Sequence, residues 1–152
     1  MAVVTIHEVG LRDGLQIEEQ VVPSERKLDW IARLARAGVP VIQVGSFVHP
    51  QRVPQMADTD SLFRRLADLP RVPGVAYSAL VLNERGLERG LACGVEYFCM
   101  GASASDTHSR KNTGMAASEA ADRITAMGRR AAEAGRRVQV SVQSAFGCGF
   151  EG

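Results

Sequence analysis

Four times along the chain an amphipathic segment stops at a helix breaker and a short, largely apolar run starts just behind it. Leu28, Ile31, Leu34 and Ala35 recur at helical spacing, and Gly38 follows where a chain leaving a helix takes the left-handed cap. An apolar run over residues 39–44 comes next. Leu62, Phe63 and Leu66 share one face of a helix predicted over residues 59–69, which Pro70 and Pro73 end before a strand at 75–81. Asn83 offers the N-cap of a third helix carrying Leu87 and Leu91, which Gly94 closes ahead of a strand at 95–100. A helix over about 117–134, then Gly135, precedes a fifth strand at 138–144. Residues 2–7 form the first strand of the series, and Ser24 is the predicted N-cap of the first helix, with Glu25 in its first turn.

Strands that alternate with helices imply βαβ crossovers and a parallel sheet. The runs read as apolar throughout, as expected of strands covered on both faces. Two α/β architectures fit: a doubly wound open sheet, or part of a (β/α)8 TIM barrel. A whole barrel takes about 250 residues. Some four and a half units in 152 residues therefore match the density of a barrel's first half. Periodicity does not choose between the two.

Composition removes several functions. The 18 Lys and Arg nearly cancel the 17 Asp and Glu, leaving a net charge of +1 and no electrostatic case for nucleic acid. No stretch approaches the ~18 apolar residues of a membrane span. Residues 1–7 lack the basic and apolar regions of a signal peptide. Three cysteines, none in a C-x-x-C pair, fit neither a disulfide framework nor a zinc ribbon. The expectation is a cytoplasmic protein with reduced thiols.

In parallel α/β chains the functional loops follow the carboxyl ends of the strands. After the first strand comes Glu8-Val9-Gly10-Leu11-Arg12-Asp13-Gly14-Leu15-Gln16. The adjacent Arg12 and Asp13 read either as a loop ion pair or as chemistry: a hard oxygen ligand for Mg²⁺ or Mn²⁺ and a permanently charged fork for an oxyanion. After the second strand, Gln43 sits at the end of a buried run and Ser46 in the loop above it. A buried Gln needs hydrogen-bond partners, which substrate or a neighbouring strand could supply. The polar stretch 101–112 is longer than a simple βα connection and reads as a binding loop, in which Lys111 could meet phosphate or carboxylate. His7, His49 and His108 show no metal-ligand spacing, and nothing adjacent in sequence activates Cys148.

The nine residues from Glu8 to Gln16 closely resemble the first-strand signature of the 3-hydroxy-3-methylglutaryl-CoA lyase family, within the DRE-TIM metallolyases. Gly45-Ser46-Phe47-Val48-His49-Pro50 with Val53-Pro54-Gln55-Met56-Ala57-Asp58 resembles the family's second loop. Ser103-Ala104-Ser105 with His108, Lys111 and Asn112 resembles its fourth, and Gly147-Cys148 with Phe150-Glu151-Gly152 the end of its fifth strand. The resemblance is colinear over essentially the whole chain. It implies a TIM barrel, a divalent metal, and retro-Claisen cleavage of a 3-hydroxyacyl-CoA to acetyl-CoA and a keto acid. By position it makes Asp13 a metal ligand and Arg12 the stabiliser of enolate charge, with Gln16, Gln43, Ser46, Ser103 and Lys111 on the substrate.

Departures accompany the resemblance. The family commonly has Glu at the positions of Gln43 and Asp106, Pro at Gly149 and a basic residue at Gln139. Its His-x-His metal pair and catalytic cysteine belong to later strands. These 152 residues are therefore expected to be the N-terminal part of the barrel, truncated after strand five, inactive alone and prone to form a homo-oligomer through open strand edges. The competing readings are a sibling condensing enzyme or carboxyltransferase domain, and a catalytically dead half-barrel that only binds. A nucleotide-binding module is disfavoured, since no G-x-G-x-x-G follows the first strand.

Overall fold

A computed structural model describes residues 4–152; the beginning of the expected first strand, at Ala2 and Val3, lies outside them. Strands β1 (His7–Glu8), β2 (Val41–Ser46), β3 (Ala76–Leu80), β4 (Tyr97–Ser103) and β5 (Arg137–Gln143) form one sheet in sequence order. All four neighbouring pairs are parallel. The helices are α1 (Ser24–Arg36), α2 (Thr59–Ala67), α3 (Glu84–Ala92), α4 (Asp106–Thr113) and α5 (Ala117–Glu133). Gly38, Gly94 and Gly135, at φ +80°, +79° and +73°, end α1, α3 and α5 in the left-handed cap that the sequence foretells. Among the described residues no helix is long and apolar enough to cross a membrane.

Strand order and face decide the architecture. A doubly wound sheet reverses its order at a switch point and carries helices on both faces. Here the order runs straight through, and the main core lies on one face. It joins Ile42, Val44, Ala79, Phe98 and Met100 of the strands, with Val81 just past β3, to Ile31, Leu62, Leu87, Ile124 and Met127 of the helices. The opposite face holds a separate small cluster, Val41, Tyr97 and Cys99 with Ala76 and Leu80, that no helix joins. This is half of a (β/α)8 barrel, with helices outside and a concave interior.

Strand β2 departs from simple alternation. Gln43 pairs with Ser78, but the next pair is Gly45 with Ala79, so Val44 is the extra residue of a bulge. The shift turns Gln43 and Ser46, three positions apart, to the same inner face. It also brings Gly45 against α2, where a Cβ would lie 2.5 Å from Thr59 Oγ1. Only a residue without a side chain fits there.

The first helix starts one residue earlier than a Ser24 cap requires. Pro23 occupies the N-cap and Ser24 is the first helical residue. The Ser24 hydroxyl instead donates to Asp58 Oδ2 at 2.7 Å. Lys27, 1% exposed, donates from Nζ to Asp58 Oδ1 and to the Gln55 carbonyl, both at 2.6 Å. The loop between β2 and α2 is thereby tied to α1.

The interior is more polar than the expectation of wholly apolar strands. Strand β5 alternates: Val138 and Val140 face Gly128 of α5, while Arg137 and Gln139 pair with Tyr97 and Cys99 of the inner face. His7 Nε2 lies 2.8 Å from Ser78 Oγ, and its ring stacks on Tyr97 with centroids 5.9 Å apart. The Tyr97 hydroxyl donates to Gln139 Oε1 at 2.7 Å, and the Arg137 guanidinium sits 4.2 Å over the Tyr97 ring. Burial, then the charges of Arg12 and Arg137, hold the His7 pKa below its ordinary 6.5.

Two outcomes follow from this packing. Gly45→Ala should lower stability in urea by about 1–3 kcal/mol, the usual cost of overpacking. The double variant with Thr59→Ala should be less unstable than the two single losses added together, and strict additivity would refute the contact. Because the folded His7 pKa is depressed, its share of stability is present above pH 6.5 and is lost as pH falls below that value. His7→Gln should flatten the dependence of the urea midpoint on pH between about 6.5 and 5, above the range in which ordinary carboxylates titrate.

Candidate active site at the carboxyl ends of the strands

Residues Gly10–Gly14 form a wide helical turn directly after β1. The Val9 carbonyl accepts from the N–H groups of Arg12 (3.0 Å) and Asp13 (2.7 Å), and the Gly10 N–H donates to Glu8 Oε1 at 2.6 Å. The turn leaves Asp13 in solvent, its side chain 65% exposed, and folds Arg12 back so that its side chain is 18% exposed. Arg12 Nε donates to Gln43 Oε1 at 2.6 Å and Nη1 to Asp13 Oδ1 at 2.5 Å. Two fixed edges hold the guanidinium in one plane. Among the described residues Nη2 donates to no protein acceptor.

The structure thus joins Arg12, Asp13 and Gln43 in one hydrogen-bonded group. Ser46 stands on the same strand and face, fully buried, and its Oγ lacks a protein partner. Gln16 Oε1 is likewise enclosed and unpartnered. Ser103 ends β4, its Oγ accepting from the Ser105 N–H at 3.1 Å. Lys111 is not drawn into the Arg12 group; its ammonium lies 3.6 Å over the Phe150 ring.

One expectation needs correction. Much of the stretch 101–112 is not an open loop: residues 97–103 complete β4 and Asp106–Thr113 is α4. Ser105 caps this helix, accepting from the His108 N–H at 3.1 Å, and Asp106 pairs with Arg110 one turn on. A polar surface helix has too little apolar periodicity to announce itself. Cys148 has a neighbour in the fold that its sequence neighbours do not show. Ser105 Oγ at 3.2 Å, then the Phe150 N–H, draw the Cys148 pKa below the ordinary thiol value. Cys99, buried inside the barrel, is pushed the other way.

The fit to a divalent metal is incomplete. Among the described residues no three His, Cys, Asp or Glu side chains converge on one point. Asp13 offers a hard oxygen of the type Mg²⁺ and Mn²⁺ take, but one carboxylate shared with an arginine cannot hold such an ion against water. A cavity of about 520 Å³ lies away from this chemistry, outside the barrel between α1, α2 and β3, and is lined by Leu28, Phe63, Leu66 and Tyr77. Inspection of the sequence does not single out Lys27, Ser78 or Tyr97. Ser78 and Tyr97 carry one weak signal, inward parity along their strands. Lys27 carries none, since it lies beside the apolar Leu28 on a helix rich in charge.

Comparison with known proteins accords with this geometry. A family profile described as HMGL-like matches residues 3–151. The chain is 40% identical over 152 residues to the hydroxymethylglutaryl-CoA lyase of Pseudomonas mevalonii, covering 100% of this chain and 50% of that protein. It superposes on the crystal structure of the Bacillus subtilis HMG-CoA lyase with a TM-score of 0.89 at 39% identity, covering 97% of this chain and 48% of that one. An HMG-CoA lyase from Acinetobacter baumannii, solved with coenzyme A and 3-methylmalate, superposes with a TM-score of 0.86 at 31% identity, over 97% and 47% of the two chains. The chain spans about half the length of the relatives it matches. A half-barrel with Arg12 and Asp13 at the mouth of its first strand thus belongs to the HMGL-like family.

Proposed function

We propose that these residues form the first half of a TIM-barrel lyase domain and supply the Arg12–Asp13 side of a site that cleaves a 3-hydroxyacyl-CoA, such as 3-hydroxy-3-methylglutaryl-CoA, to acetyl-CoA and a keto acid. The observation that carries this reading is the Arg12 guanidinium, fixed on two edges by Gln43 and Asp13 while Nη2 keeps its N–H groups unclaimed. When the 3-hydroxyl has lost its proton and the carbon–carbon bond opens toward the thioester, negative charge gathers on the enolate oxygen. A preorganised, permanently charged donor is worth most where charge develops, typically a few kcal/mol. Asp13 would contribute one oxygen to Mg²⁺ or Mn²⁺, which supplies Lewis-acid polarisation of substrate oxygens. The other ligands come from strands that complete the barrel. Gln16, Ser46, Ser103 and Lys111 are the proposed substrate contacts. The unpartnered Gln16 Oε1 and Ser46 Oγ support two of these, since enclosed polar atoms without partners are costly. The three free cysteines suit the reducing cytoplasm.

The test supplies the 152-residue chain alone or with the second half of the Bacillus subtilis relative, and follows acetyl-CoA release in excess Mg²⁺ or Mn²⁺. The chain alone is expected to be silent and the completed barrel active. In the completed barrel Arg12→Lys should lower kcat about 100-fold or more with a smaller change in KM. Asp13→Asn should raise the metal concentration needed for half-maximal rate. Metal-dependent turnover by the chain alone, or a near-normal kcat in Arg12→Lys, would refute the assignment. The partner-free chain should also self-associate. Val140 and Val142, on the outer face of an edge strand, are 52% and 65% exposed, so light scattering at micromolar concentration should show dimers or larger species.

A further inference from the structure

The structure assigns Gln43 a positioning role: its amide oxygen fixes the Arg12 guanidinium without neutralising it, and its side chain does not touch substrate. Gln43 is 3% exposed and its Oε1 is taken up by Arg12 Nε at 2.6 Å, so little of it is open to a ligand at the mouth. Regular pairing of Val41, Ile42 and Gln43 with Ala76, Tyr77 and Ser78 holds the amide at that level of the inner face. The partner's chemistry matters as much as its place. A carboxylate at position 43 would hold the same N–H and also bring a negative charge into a poorly solvated interior, where it would offset the guanidinium. An amide orients the guanidinium and leaves its charge for whatever approaches Nη2. The neighbouring interior agrees: the acceptors found there, Ser78 and Gln139, are uncharged, and His7 beside them is held toward its neutral form. Asp13 is the acidic partner of Arg12, and its side chain is largely exposed.

The catalytic part of this inference rests on the lyase reading; the positioning part does not. It is tested with arginine-¹⁵Nε NMR on the 152-residue chain and with kinetics on the completed barrel, using Gln43→Met, which keeps volume and removes the acceptor, and Gln43→Glu, which keeps the acceptor and adds charge. Backbone amide spectra identify any variant that has not folded. The native chain should give a slowly exchanging Arg12 Nε–H signal that Gln43→Met speeds by about tenfold or more and Gln43→Glu preserves. In the completed barrel Gln43→Met should lower kcat by about 10–100-fold with KM changed by less than about threefold, and Gln43→Glu should recover only part of that loss. Unchanged Nε–H exchange in Gln43→Met would overturn the proposal. So would a change concentrated in KM, or in the kcat/KM ratio between two acyl-CoA esters, because either means that Gln43 meets substrate. Faster exchange with unaltered kcat would uphold the positioning and remove Arg12 from the chemistry.

Discussion

Strand β2 is buried along its whole length, and the two sides of the sheet make incompatible demands on it. Outward, Ile42 and Val44 must meet the helices; inward, Gln43 and Ser46 must meet the barrel interior. Strict alternation would send Ser46 to the helices. A single extra residue at Val44 reconciles the two demands, and it does so only because Gly45 lets α2 approach the strand. The bulge thus places Ser46 on the face of Gln43, which ordinary pairing with β3 already holds where Arg12 reaches it.

The interior electrostatics have a consistent sign. Arg12 and Arg137 bring positive charge to the concave face, while Gln43, Ser78, Tyr97 and Gln139 offer neutral hydrogen-bonding atoms. Buried charges usually acquire compensating partners. Arg12 is only partly buried and Arg137 is exposed, and their partners here are an exposed carboxylate, an amide oxygen and an aromatic face. Burial first, and then these two charges, lower the His7 pKa from its ordinary value.

Much of this was legible in the sequence, and the limits of legibility have physical causes. The helix–glycine–strand repeat reports local structure, so α1, α3 and α5 ended at the glycines marked for them. The same pattern could not choose a barrel over a doubly wound sheet, because that choice lies in which strands pair, a non-local matter. Arg12 and Asp13 could be picked out because glycines flank them behind a strand. That Gln43 meets Arg12 required knowing that β1 and β2 are neighbours, and that Ser46 shares its face required knowing the bulge, which no local preference of Val44 announces. The α4 segment was hidden for the opposite reason: its helicity rests on a Ser105 cap and an i,i+4 ion pair, with almost no buried face to give it a period. Lys27 was invisible because a buried lysine is defined by its partners, and Asp58 and Gln55 lie about thirty residues away.

The Lys27 attachment also bears on how a ligand enters. Loops beside an active site often open and close like a jaw. The segment after β2 is pinned from beneath, with Ser24 and Lys27 gripping Asp58 and Lys27 holding the Gln55 carbonyl as well. Those bonds anchor the far end of the loop to the same helix that backs the strand at its near end. This side of the entrance is therefore a fixed wall and not a hinged one. The wall's part is to keep the Arg12 side of the mouth in place.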